Sequence, residues 1–129
     1  MEAPPTGSER ILLVDDEEAL ADLGKEILET LGYQVTAKTS SLEGLEIFGA
    51  QPDASDLVIT DMTMPSLTGR ELSEKIIPLR SDTPIILSTG FSDLVNEKQA
   101  KEAGIREFIM KPYEIRTLPG AIRKALEQE

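Results

Sequence analysis

The sequence predicts an α/β three-layer sandwich, in which a five-stranded parallel sheet is covered on both faces by five helices. Two observations carry this. Five short strand-like runs alternate with five segments of helical periodicity, and strict alternation calls for parallel strands joined by right-handed crossovers. Three of the runs, "ILLV", "LVIT" and "PIILST", are continuously apolar, as strands covered on both faces are. Size agrees: 129 residues, 40% of them apolar, suffice for one domain with a real core.

Residues 1–8, "MEAPPTGS", are rich in Pro, Gly and small polar side chains and read as a flexible lead-in or linker stub, leaving 9–127 as the domain. Ile11–Val14 is the first strand, stopped by "DDEE". Over Glu17–Leu31, the residues Leu20, Leu23, Ile27, Leu28 and Leu31 follow helical spacing. Glu17, Glu18 and Asp22 suit that helix's positive N-terminal end, and Gly32 caps its close. "YQVTAK", Tyr33–Lys38, alternates as an edge strand should. Ser41–Phe48 is helical through Leu42, Leu45 and Phe48, and Leu57–Thr60 is the third strand. Thr68–Leu79 is helical, with Leu72, Ile76 and Leu79 on one face and Thr68 as its cap. Pro84–Thr89 is the fourth strand, Asp93–Ala103 a helix ended by Gly104, and Glu107–Lys111 the fifth strand. Glu114–Glu127 is the last helix, with Pro119 in or near its first turn, where a missing N–H is tolerated.

Composition excludes whole classes of function. The chain carries 24 acidic against 13 basic residues, a formal charge of −11. Such a surface repels phosphate backbones and anionic lipids, so no nucleic-acid or membrane contact is expected, and cations and basic partners are favoured. Without histidine there is no Ser-His-Asp triad. With cysteine absent too, disulfides, thiolate chemistry and ordinary zinc sites are excluded. A cation site must then be built from oxygen, for magnesium, calcium or manganese. The sequence has no signal-peptide pattern, no apolar run of about 18 residues and no cysteine, which points to a cytoplasmic protein.

The stretch "LVITDMTMP" locates a site. An apolar strand ends on Asp61, and burying an unpaired charge costs several kcal/mol. In open parallel sheets, ligands lie beyond the carboxyl ends of the strands, where strand order reverses. If the order is 2-1-3-4-5, that point lies between the first and third strands, whose ends carry Asp15, Asp16 and Asp61. Three carboxylates repel one another unless a hard divalent cation sits among them. Thr89 and Lys111, ending the fourth and fifth strands, add a hydroxyl and an ammonium suited to phosphoryl oxygens. Together these groups suit phosphoryl transfer onto an aspartate. Each has a plainer reading alone: Asp61 as a turn residue, "DDEE" as a helix N-terminus, Thr89 at a sheet edge, Lys111 in solvent. Their coincidence at one end of four strands outweighs those readings.

The same residues sit in "LLVDDEE", "VITDMTMPSLTG", "PIILSTG" and "FIMKP". Over Arg10 to Leu126 the chain resembles the receiver domain of the two-component response-regulator family. The resemblance implies the flavodoxin-like receiver fold, with order 2-1-3-4-5. It implies that Asp61 accepts a phosphoryl group from a phosphohistidine on a histidine kinase or histidine-phosphotransfer protein, as part of a phosphorelay. Asp16 would bind magnesium directly (manganese as a substitute), Asp15 mainly through water, with the Thr63 backbone carbonyl completing the protein ligands. Lys111 would pair with phosphoryl oxygens. Thr89 would move toward them, and Phe108, at the switch aromatic position, would turn into the space Thr89 vacates. Lys111–Pro112 is a candidate cis bond. Such a domain catalyses only its own phosphorylation and dephosphorylation and is otherwise no enzyme. Its readout face would be the fourth helix, fifth strand and fifth helix, offered to a downstream protein or kinase module, with the chain a monomer or a weak phosphorylation-dependent dimer.

Several positions depart from or tune that pattern. Gly90 leaves room for phosphoryl oxygens. Thr63 and Phe91 carry no acid or amide to orient a hydrolytic water, so slow self-hydrolysis is expected. Phe108 stands where tyrosine is commoner, and Tyr113 is expected to cap the rim of the site. The chain, lacking histidine, must receive its phosphoryl group in trans or from residues outside this sequence. No output domain fits after Leu126, so the chain reads as a stand-alone regulator or as a receiver cut from a larger protein. "APPTGSER" and "TDMTMP…STGFSD" resemble the receivers of hybrid histidine kinases.

Rival readings meet specific obstacles. A haloacid-dehalogenase phosphatase needs a second acid two residues after its nucleophile, and that position is Thr63. A flavin-binding domain of similar fold needs a phosphate loop after the first strand, where "DDEE" would repel the phosphate. No GK[ST] loop exists for nucleotide binding. A pseudo-receiver, the same fold serving only to bind proteins, is opposed by the presence of every acid and of Lys111.

Overall fold

Continuously apolar runs form the middle of the sheet and the alternating run forms its edge. The strands are β1 (Arg10–Val14), β2 (Gln34–Lys38), β3 (Leu57–Asp61), β4 (Ile85–Thr89) and β5 (Glu107–Met110). All neighbours run parallel, in the order β2-β1-β3-β4-β5, as expected. The computed structural model describes residues 6–90, 101–102 and 104–127. Every residue of β3 and β4 is buried, whereas β2 alternates between exposed and half-buried positions.

Period-two alternation divides the interior into two cores. Ile11, Leu13, Leu57, Ile59 and Ile86 face one side of the sheet with Leu28, Ile122 and Tyr113. Leu12, Val14, Val58, Ile85 and Leu87 face the other with Phe48, Leu72 and Ile76. The helices covering these faces are α1 (Glu18–Thr30), α2 (Ser41–Ala50), α3 (Gly69–Ile76) and α4 (Leu118–Glu127). These are the four α-helices found among the described residues, where five were expected. Of the helix anticipated over Asp93–Ala103, only Lys101 and Glu102 are described, and both are helical. Among the described residues no helix is long and apolar enough to cross a membrane.

Local chemistry explains the boundaries. Gly32 takes φ +101°, the left-handed conformation that closes a helix. Ser40 caps α2 by accepting from the Glu43 N–H at 3.2 Å. Thr68 and Glu71 form a reciprocal capping box at the start of α3. That helix stops at Ile76, short of the expected Leu79, because Pro78 disfavours continuation and has no N–H to give. Leu79 is therefore exposed. Leu42 and Leu23 are also exposed, because α2 turns Ser41, Gly44 and Phe48 inward and α1 turns Ala21, Gly24 and Leu28 inward. Small residues let both helices lie close to the sheet. Helix α4 starts four residues later than expected, with Pro119 buried in its first turn.

The end of the lead-in is in contact with the domain. The Gly7 N–H donates to the Leu31 carbonyl at 3.1 Å, satisfying a carbonyl beyond the end of α1. Glu9 pairs with Arg123 at 2.6 Å, and the Arg123 guanidinium lies 5.7 Å from the centre of the Tyr33 ring.

Candidate functional site

Register brings the acids together. Val14 is paired with Thr60, so Asp15 leaves β1 level with Asp61, the last residue of β3. The Asp15 N–H donates to the Lys38 carbonyl at 3.0 Å, keeping its backbone in line with the sheet edge. Counting by two from Leu13 and Ile59 puts Asp15 and Asp61 on the same face as the core beneath α1 and α4. Ser88, paired with Asp61, and Lys111, two residues after Ile109, share that parity. Thr89, Phe108 and Met110 have the opposite parity.

Asp15, Asp16 and Asp61 each place a carboxylate oxygen within 4.8 Å of the others. Asp15 and Asp61 are buried and Asp16 is exposed. Lys111 Nζ stands 2.9 Å from Asp61 Oδ1 and 3.4 Å from Asp15 Oδ2. The donor set is entirely carboxylate oxygen, partly desolvated and carrying more negative charge than Lys111 neutralises. That is what a hard divalent cation needs and what zinc or copper would not favour. Thr63, whose carbonyl the resemblance adds to this set, lies exposed two residues beyond Asp61.

The electrostatics follow from burial. Asp61 is pushed up to about 6, chiefly because its carboxylate is desolvated. The Lys111 hydrogen bond opposes that rise, while the Asp15 charge and the Asp16 contact add to it. Burial works against the Lys111 ammonium as well, but its bond to Asp61 and the charges of Asp15 and Asp61 outweigh burial and hold it above its usual value. The Tyr113 hydroxyl is raised by burial and then by the Asp15 charge, so it keeps its proton as a hydrogen-bond donor.

The loop after Asp61 is tightly folded. The Gly69 N–H donates to the Met62 carbonyl at 2.8 Å, closing the loop as α3 begins. A side chain at Gly69 would run into the Asp61 carbonyl oxygen, so only glycine permits this approach. Ser41, the first residue of α2, donates to the Pro65 carbonyl at 3.0 Å and accepts from the Leu67 N–H at 3.2 Å.

The other sequence-predicted residues are placed as follows. Thr89 is buried, but its hydroxyl is turned to the Met110 sulfur at 3.4 Å. Phe108 is half-buried beside Leu87 on the α2–α3 side of the sheet. The Lys111–Pro112 bond is cis. Gly90 is half-buried, and Phe91 lies outside the described residues. Tyr113 corrects an expectation. It does not cap the rim but is buried in the core beneath α1 and α4, its hydroxyl donating to Asp15 Oδ2 at 2.9 Å. An apolar ring gains more from that core than from the rim, and the buried carboxylate satisfies its hydroxyl. Sequence reading also passed over Ser88, whose hydroxyl lies 3.3 Å from that of Tyr113. Counting by two along the fourth strand from Ile86 puts Ser88 on the face of Asp61. Tyr113 lies beyond the end of β5, where such counting no longer holds.

Comparison with known proteins agrees with this fold. A family model described as the response regulator receiver domain matches residues 11–123. The chain is 36% identical over 118 residues to the uncharacterized transcriptional regulatory protein YkoG of Bacillus subtilis, covering 92% of this chain and 51% of that protein. It thus spans about half the length of that relative. It is 29% identical to sporulation initiation phosphotransferase F of the same organism, covering 92% of this chain and 94% of the relative. A crystal structure of a response regulator receiver domain protein from Clostridium thermocellum superposes with a TM-score of 0.85 at 36% identity, covering 92% of this chain and 94% of that one.

Proposed function

We propose, because this chain belongs to the response regulator receiver domain family, that Asp61 accepts a phosphoryl group from a phosphohistidine of a histidine kinase or histidine-phosphotransfer protein. The observation that carries this reading is the hydrogen bond of Lys111 to Asp61, 2.9 Å long, beside two further acids at the mouth of the sheet. In the transfer, an Asp61 oxygen attacks phosphorus and the P–N bond to the donor breaks. The imidazole leaves with the electron pair and takes a proton. Lys111, already on Asp61, offsets charge on the phosphoryl oxygens. Desolvation leaves the Asp61 carboxylate poorly hydrated and so readier to attack.

Asp15, Asp16, Asp61 and the Thr63 carbonyl are the groups that would hold magnesium, or manganese in its place. When bound, the cation neutralises charge on the carboxylates and the transferring group. Thr89 must leave the Met110 sulfur to reach a phosphoryl oxygen. Its departure opens room for the half-buried Phe108, which stands on the neighbouring strand level with Leu87, two residues before Thr89 on the same face of the sheet. We read this as the switch that alters the β5–α4 surface toward a downstream protein or kinase module. By linkage, a partner that prefers the switched arrangement favours phosphorylation to the same degree.

The deciding experiment is intact-mass spectrometry after incubation with magnesium and a small phosphodonor. The parent chain should gain one phosphoryl group, labile to hydroxylamine, and Asp61→Asn should gain none. Stoichiometric uptake by Asp61→Asn would show that the acceptor lies elsewhere.

A further inference from the structure

Asp15 is fully buried, and among the described residues three donors reach it. The Glu17 backbone N–H donates to Oδ1 at 3.0 Å, and the Tyr113 hydroxyl donates to Oδ2 at 2.9 Å. Lys111 Nζ is 3.4 Å from Oδ2 but nearer to Asp61, at 2.9 Å. Lys111 is thus shared, and Tyr113 is the side chain whose donor is committed to Asp15. A phenol has one proton, so with that proton on Asp15 the Ser88 hydroxyl must be the donor in its 3.3 Å contact with Tyr113. Ser88 and Tyr113 are both buried. The Tyr113 ring is held by the apolar core beneath α1 and α4. The chain Ser88 to Tyr113 to Asp15 therefore runs from the middle of the sheet to the acidic mouth.

We infer that Tyr113, oriented by Ser88, is a positioning residue for Asp15. It fixes the carboxylate independently of Lys111, so that Lys111 can turn to phosphoryl oxygens on Asp61 without releasing Asp15. The inference rests on the magnesium and phosphoryl reading above. Without the phenolic hydroxyl, Lys111 is the only side-chain donor left on Oδ2 among the described residues, and it is drawn from Asp61 toward Asp15.

The test is calorimetric titration of magnesium into the full chain, for the parent, Tyr113→Phe, Ser88→Ala, their double variant and Ile122→Val. The last trims the same core without touching the hydrogen-bonded chain. Loss of an outer partner of a metal-binding group weakens metal affinity typically 10–100-fold, so Tyr113→Phe should weaken magnesium binding by about tenfold or more. Ser88→Ala should act in the same direction but less, and the double variant should be no worse than Tyr113→Phe, because Ser88 acts through Tyr113. Ile122→Val should lower the melting temperature and leave magnesium affinity alone. Acyl-phosphate formation at saturating magnesium should also fall in Tyr113→Phe, because Lys111 is drawn from Asp61, but stay near the parent rate in Ile122→Val, a contrast that general loosening of the core would not produce. Normal parent binding with an unaffected Tyr113→Phe overturns the inference alone. No saturable binding by the parent overturns the magnesium reading, and this inference with it.

Discussion

Among the described residues, Asp61 carries the most consequential single ionisation for the site. Its folded-state value of about 6 lies above the 3.8 of an unperturbed aspartate, so the fold prefers its neutral form. The resulting stability is whole below pH 4 and is lost as pH rises through 6, the reverse of the usual salt-bridged acid. Asparagine is neutral throughout. In metal-free buffer, Asp61→Asn should gain stability relative to the parent between pH 4.5 and 7.5. Each pKa unit is worth about 1.4 kcal/mol, so the gain should be on the order of 2 kcal/mol. Urea melts at a series of pH values measure it, and a difference that stays flat across that range refutes the assignment. Lys111 cannot remove the cost, because one ammonium is divided between two buried carboxylates.

At the scale of elements, the turn from β3 to α3 joins stability to the site. Thr68 contributes only to the helix start, through its capping box with Glu71. Thr68→Ala should cost about 1 kcal/mol of stability and leave phosphoryl uptake on Asp61 intact. Gly69→Ala should differ in kind. Its Cβ meets the Asp61 carbonyl and the Leu87 side chain, so the backbone that aims the acid must move. Such overpacking costs about 1–3 kcal/mol, and acyl-phosphate formation should fall along with the melting temperature. Melting curves and intact-mass uptake on both variants separate the two effects. Equal uptake in Gly69→Ala and the parent would mean that the turn does not aim Asp61.

For the whole molecule, a formal charge of −11 means that any salt relieves self-repulsion. The proposed magnesium site would add a second effect, stabilising by about 2.7 kcal/mol at a concentration a hundredfold above its dissociation constant. At matched ionic strength, magnesium chloride should therefore raise the melting temperature more than sodium chloride does. Asp16→Asn should abolish the excess and keep the sodium response. If the two salts act alike on the parent, the carboxylate cluster does not hold magnesium selectively.

What could be read from the sequence alone was whatever depends on residues near one another in the chain. The central strands, the edge strand, the Gly32 and Thr68 caps and the acids at the strand ends all follow from backbone preference and period, which act over a few residues. Strand order then followed from the resemblance, and with it the meeting of Asp15, Asp16, Asp61 and Lys111. Packing decided the rest. Leu23, Leu42 and Leu79 match a helical stripe yet face outward, because Gly24, Gly44 and Pro78 determine how closely each helix lies and where it ends. The place of Tyr113 beneath Asp15, the turning of Thr89 to Met110 and the raised pKa of Asp61 depend on neighbours up to 98 residues away in the chain. A residue's type states what it can donate, accept or bury. Desolvation and partnership belong to the folded surroundings, so only the tertiary structure could assign them.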